Sequence, residues 1–286
     1  MMGIRIAAFA IAGIVAVGSP LALVRAQDGA AQAPAMDVET LVGDLANSMG
    51  MLRGRSNGDT RSVDSILTLE LWATGSETVG QQRFDIPAYR ASFNFSYPGM
   101  RVDYTRTQPS GESERQIHVV SGAAAWNETE RGMNATAAHD QVRARLVDLW
   151  TTPFGVVKAA VLAGEIATVS MQDGAAVLSF PLPAPVSDVT VNATVRKDAS
   201  LVVAHEAALP DLVGTYLVKV ETTGGIVSET TFAEYGDQNW PDYRADIMLP
   251  KRIVRTQGDR TLVLTTTNTN TYNPYVIMPV PANVAR

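Results

Sequence analysis

Residues 139–164 read HDQVRARLVDLWTTPFGVVKAAVLAG, two helical segments in a chain that otherwise reads as short strands. In the first segment Val142, Leu146, Leu149 and Trp150 recur at helical spacing, while Arg143, Arg145 and Asp148 fall off that stripe. Thr152-Pro153 interrupts the pattern, because a proline cannot continue a helix and restricts the residue before it. The second segment, 154–164, is apolar nearly all round, and Lys158 is its one charge. A helix apolar on every side is either buried on every side or lies over something apolar. Phe154, Val157 and Val161 follow one another at three- and four-residue steps, so they share a face.

The flanking sequence shows what such a pair could cover. From 89 to 97, YRASFNFSY sets Tyr89, Ala91, Phe93, Phe95 and Tyr97 against Arg90, Ser92, Asn94 and Ser96. Pro98-Gly99 turns the chain, and Met100, Val102 and Tyr104 then oppose Arg101, Asp103 and Thr105. Two alternating runs across a tight turn predict an antiparallel hairpin with one apolar face. The same pattern recurs at 189–196 and 215–221, with further strands expected near 64–73, 114–121, 123–127, 166–171, 175–180, 201–207, 227–235, 251–256 and 260–271. A large twisted sheet curls, and its apolar face must be covered by a second sheet or by helices. The reading adopted is mainly β with helices (α+β): a curved antiparallel sheet whose hollow is closed by the central helix pair and an N-terminal helix. That N-terminal helix is expected over 38–53, from Val38, Leu41, Val42, Leu45 and Met49, with Asp37 as its N-cap.

Residues 1–26 carry Arg5, an apolar run from 6 to 18, Pro20 and Val24-Arg25-Ala26, the pattern of a signal peptide cleaved after Ala26. Cleavage predicts a periplasmic or secreted protein; an uncleaved N-terminal anchor is the alternative, and either places the folded part outside the cytoplasm. Residues 27–36 are a small-residue stretch with no periodicity, expected to be a disordered linker, and 37–286 a single domain. Loss of Arg5 and Arg25 would take the formal net charge from -6 to -8.

The 286 residues contain no cysteine, which excludes disulfides, thiolate metal sites and a cysteine nucleophile. The acidic balance without a basic patch argues against nucleic acid. Three histidines exist. His118 is expected on the polar side of a strand carrying Ile117 and Val119; His205 lies in another strand; His139-Asp140 reads as the start of a surface helix rather than a metal dyad. No zinc-protease, nucleophile-elbow or phosphate-loop motif is present. The protein is therefore expected to be no enzyme and to use neither metal nor cofactor.

The order of elements resembles the LolA/LolB-like superfamily of periplasmic lipoprotein-sorting and lipid-carrier proteins. SGAAAWNETERG at 121–132 is similar to the superfamily's strand and turn around an aromatic. The span 248–281, with Leu249-Pro250 entering a strand, a hairpin, a long strand, Asn273-Pro274 and a final Pro-containing segment, is similar to its closing strands. Val276-Ile277 stands where that superfamily usually has an aromatic. Neither Arg143 nor Arg145 matches its lid-holding arginine. The resemblance implies a half-barrel closed by helices and a lipid or other apolar ligand.

Phe93, Phe95, Tyr97 and Tyr104 on the sheet, and Leu146, Trp150, Phe154, Val157 and Val161 on the helices, are the residues expected to line such a ligand. Permanent core uses the same residue types, so a filled interior stays open as the alternative. With it goes a second function, a structural or partner-binding envelope module without a small ligand, for which the Thr/Asn-rich 261–272 would be a solvated edge strand; under either function the protein is expected to be a monomer.

Overall fold

The computed structural model describes residues 37–52, 66–198, 214–238, 247–271, 273 and 275–285. The expected signal peptide, the linker, residue 53 of the N-terminal helix, and the 201–207 strand with His205 lie outside the described residues.

Helix α1 (Val38–Ser48) begins where Asp37 accepts the Thr40 N–H at 2.7 Å. It ends five residues before the expected 53. Gly50 adopts φ 75°, its N–H reaches Asn47 O at 3.0 Å, and the Met51 N–H reaches Ala46 O at 2.8 Å. This crossed pair of bonds stops a helix, and glycine meets its positive φ without strain. Leu41, Val42, Leu45 and Ala46 enter the main core.

Six strands precede the central helices: β1 (Thr68–Val79), β2 (Gln82–Asn94), β3 (Gly99–Thr107), β4 (Ser113–Ser121), β5 (Ala124–Glu128) and β6 (Thr136–Ala137). Helices α2 (Val142–Trp150) and α3 (Pro153–Ala163) follow. Seven strands come after them: β7 (Thr168–Gln172), β8 (Ala175–Pro181), β9 (Val189–Asp198), β10 (Gly214–Gly224), β11 (Ser228–Asp237), β12 (Met248–Gln257) and β13 (Arg260–Asn270). All join one open antiparallel sheet in the order β6-β5-β4-β3-β2-β1-β13-β12-β11-β10-β9-β8-β7.

This order explains the greasy interruption. Two meanders are zipped together by β1 and β13, which leaves β6 and β7 at opposite edges. The helix pair is the connection between those edges. A flat sheet of this width would span roughly 55 to 60 Å at about 4.8 Å per strand. The helices bend by 95° at their joint, so they and the short segments flanking them reach only about 35 Å. The connection closes only if the sheet curls around the helices.

The bend is written in the sequence TTPFG. Thr152 takes an extended ψ of 157° before Pro153, and its Oγ1 accepts the Gly155 N–H at 3.1 Å while donating to Leu149 O at 2.8 Å. A Cβ on Gly155 would sit 2.3 Å from Leu149 O, so the tight joint requires glycine.

Several expectations are corrected. Strands β1 and β2 form a longer hairpin than the 64–73 and 89–97 runs suggested. Their pairing shifts register at Trp72/Ala73, between Ala73 and Gly75, and between Asp85 and Ala88. Each shift breaks the two-residue period, so the alternation changes phase: Phe84 and Ile86 are buried at even positions, Ala91 and Phe93 at odd ones. β2 ends at Asn94, whose Oδ1 accepts the N–H groups of Ser96 and Tyr97, so Tyr97 leaves the strand in a turn. The Thr/Asn-rich β13 is no edge: it pairs with β1 and β12, and buried Thr266 donates to Pro250 O at 2.9 Å. On β4 the expected faces are reversed. Ile117 and Val119 lie in a second cluster with Trp126, Val276, Met278 and Val284, on the face away from the helices, and His118 points toward them.

Candidate functional site

Beneath the end of α2 and the Thr151–Pro153 turn lies a cavity of about 130 Å³. Its walls come from the middle of the sheet. Leu69 and Leu71 of β1, Phe93 of β2, and Met100 and Val102 of β3 form one side. Phe232, Leu249, Ile253, Leu262 and Leu264 form the other. These positions alternate with polar residues such as Glu70, Ser92 and Arg101 that point the opposite way along the same strands.

Of the residues expected to line a ligand, Phe93 and Tyr104 line this cavity. Phe95, Leu146, Trp150, Phe154 and Val157 do not; they are buried in the main core. Phe95 and Trp150 meet there with ring planes tilted by 44° and centres 6.5 Å apart. Tyr97 is 79% exposed in its turn. Val161 is 48% exposed, because the buried run of α3 ends at Ala160. The face through Phe154, Val157 and Val161 is thus core for two of its members and surface for the third. α3 packs against α1 and β8, away from the cavity, and even Lys158 is buried, its ammonium 5.6 Å from the Phe95 ring centre.

The roof is instead α2, and arginines tie it down. Arg145 is buried, and one guanidinium nitrogen donates to Val119 O at 2.9 Å and to Trp126 O at 2.7 Å. The other terminal nitrogen donates to Asn127 Oδ1 at 2.6 Å. This is a helix-holding arginine that the sequence comparison with the superfamily did not assign. Arg255 of β12 forms an ion pair with Asp148 and donates to Thr151 Oγ1 at 2.9 Å. Arg143 bonds Asp188 at 2.6 Å on the exposed side.

The rim is polar. Arg260 donates through Nε to Glu77 at 2.5 Å, and Glu77 also faces Arg106 at 3.5 Å. Tyr104 donates its hydroxyl to Gln116 Oε1 at 2.6 Å and meets His118 edge-on at 5.9 Å. Burial first, then the charges of Arg145 and Arg260, push His118 down to about 4, so its ring is neutral at neutral pH. Burial raises the Tyr89 and Tyr104 hydroxyls, which stay protonated. An apolar hollow with one cationic, hydrogen-bonding edge can enclose an apolar group and orient it by a polar end. His118, Asp148, Arg255 and Arg260 escaped the sequence reading because they converge from β4, α2 and the β12–β13 hairpin; only strand register brings them together.

No family's sequence profile and no curated protein matches the chain. Among solved structures it is similar to a DUF1329 family protein from Desulfovibrio piger, at TM-score 0.46 and 10% identity over 83% of this chain and 94% of that one. It is similar to a LolA superfamily protein from Nitrosomonas europaea, at TM-score 0.42 and 9% identity over 84% and 95%. The lipoprotein LppX of Mycobacterium tuberculosis is a further one, at TM-score 0.28 and 9% identity over 84% and 99%.

Proposed function

We propose that this protein is a non-catalytic cell-envelope carrier or sensor that holds an apolar chain between the sheet and α2. In this reading the sheet is a half-barrel, α1 and the central pair close it, and residues 1–26 direct export. The observation that carries it is the apolar cavity in the middle of the sheet, roofed by a helix held through discrete polar ties. A cavity of about 130 Å³ is close to the engineered 150 Å³ hollow that binds benzene. The closed form therefore takes roughly six carbons, and a longer chain must extend through the rim or lift α2.

That size makes a test. Neutral n-alkanols from four to twelve carbons are titrated calorimetrically into the protein. Each CH₂ buried contributes about 0.8 kcal/mol, or about fourfold in affinity. The gain continues to roughly six carbons and then flattens unless α2 moves. Absence of binding at every length, together with no lipid extracted from protein purified from the envelope, rejects the reading.

The alternative, an envelope module that binds a protein partner, draws on one observation. Val161 and Leu162 at the end of α3, Ile166 in the turn after it, and Met171 of edge strand β7 are exposed although apolar. A stoichiometric protein partner cross-linked through these positions, with no alkanol binding, would favour it.

A further inference from the structure

We propose that the cavity's ligand is an amphiphile with a single acidic head, its apolar part inside and its carboxylate or phosphate at the rim against Arg260. The inference rests on the apolar-ligand reading of the same cavity and names the ligand's polar end. Three arginines line the cavity, Arg145, Arg255 and Arg260, against one carboxylate, Asp148. Two of the three are committed. Arg145 is spent on Val119 O, Trp126 O and Asn127. Arg255 is spent on Asp148, Thr151 and Thr230. Arg260 differs: only its Nε is engaged, by Glu77. Among the described residues its two terminal nitrogens have no hydrogen-bond partner, and its side chain is 38% exposed.

Glu77 does not cancel this charge. It is 1% exposed and lies between Arg260 and Arg106, and Arg106 turns its other nitrogens to the half-exposed Glu114. Around the rim and cavity Arg106, Arg145, Arg255 and Arg260 stand against Glu77, Glu114 and Asp148, four guanidinium groups to three carboxylates, which leaves one surplus positive charge. The other polar groups around it, Tyr104, Tyr89 and His118, are uncharged at neutral pH. A neutral chain end placed here would strip water from the Arg260 fork and return nothing. An anion accepts both free nitrogens at once, and such charge-assisted bonds are about twice as strong as neutral ones. The wall behind the rim is apolar, so the favoured anion carries a hydrocarbon tail.

The test compares hexanoate with 1-hexanol, equal in chain length and matched to the roughly six carbons the cavity encloses, by calorimetry on the wild-type protein and on Arg260→Gln. The wild type is expected to bind hexanoate about tenfold more tightly, and Arg260→Gln to bring the ratio of the two affinities to about one. Equal binding of the two ligands by wild type overturns the acidic head and leaves the cavity reading intact. Binding of neither overturns the cavity reading itself, and this inference with it. Inorganic phosphate is titrated alone and as a competitor; if it binds as tightly as hexanoate, the rim is a free-anion site and the amphiphile is rejected. If Arg260→Gln does not fold by circular dichroism, Arg260→Lys replaces it. The hexanoate preference is then expected to survive at low salt and to shrink near about 1 M salt, where the Debye length is about 3 Å. A preference indifferent to salt overturns the assignment to this cation.

Discussion

α2 and α3 sit side by side in the chain and take opposite parts. α3 is the more apolar, with Lys158 its one charge, yet its buried face is packed against α1 and β8, and beyond Pro153 at its start it lines no part of the cavity. α2 carries Arg143, Arg145 and Asp148 and forms the roof. The difference teaches that apolar content marks the permanent core of this molecule, whereas the cavity proposed as the ligand site is edged by charges paired between helix and sheet. A roof that opens cannot be glued on by a large close-packed surface. It can be held by a few hydrogen bonds, which are strong when made and can be exchanged for water.

The comparison breaks most visibly at Val157, which is fully buried in α3. Val157→Asp places an unpaired carboxylate in filled core and is expected to cost several kcal/mol, enough to abolish cooperative thermal unfolding. A folded Val157→Asp protein with impaired ligand retention alone would mean that α3, not α2, is the roof.

At the roof, Arg145→Met leaves the Val119 and Trp126 carbonyls without their donor. The expected loss is about 3 kcal/mol in denaturant unfolding, with hydrogen exchange of α2 rising before that of α3. Uniform exchange across both helices would show that they open as one unit.

His118 sharpens the same contrast through pH. Its ring is held neutral, with its pKa pushed down from 6.5 to about 4. Between these values the unfolded chain binds more protons than the folded one, so stability is complete above 6.5 and falls as the pH drops toward about 4. The loss is on the order of 2 to 3 kcal/mol at about 1.4 kcal/mol per pKa unit. Chemical melts across this window should show the slope in wild type and lack that component in His118→Gln. An unchanged slope in the variant assigns the acid sensitivity to carboxylates.

The smallest effect is expected at Val161, on the exposed end of α3. Val161→Ser should shift stability by no more than about 0.5 kcal/mol and leave alkanol affinity as it was. A clear loss of affinity would restore this residue to the ligand site.

Much of the fold is legible in the residues alone. The hairpin from 89 to 107, the strands from 113 onward that the structure describes other than the two-residue β6, and both central helices follow from two- and four-residue periods, which are local consequences of backbone geometry. The superfamily resemblance rested on the order of those elements. The Thr152-Pro153 joint and its glycine are likewise local chemistry. What the periods cannot carry is register. A bulge at Ala73 or Asp85 moves every later side chain to the other face, and neither leaves a mark that a single sequence distinguishes from a loop. β13 looked like an edge because threonine suits solvent; whether it is one depends on which strand pairs beside it, and β1 is nearly two hundred residues away. The rim arises the same way. Nothing near Arg260 in the chain indicates that Glu77, Tyr104 and His118 lie within its reach. Residue type and spacing determined which side chains are apolar, where helices start and where turns fall. Long-range pairing alone decided which apolar faces are filled, which one is left hollow, and which cation stands at its edge.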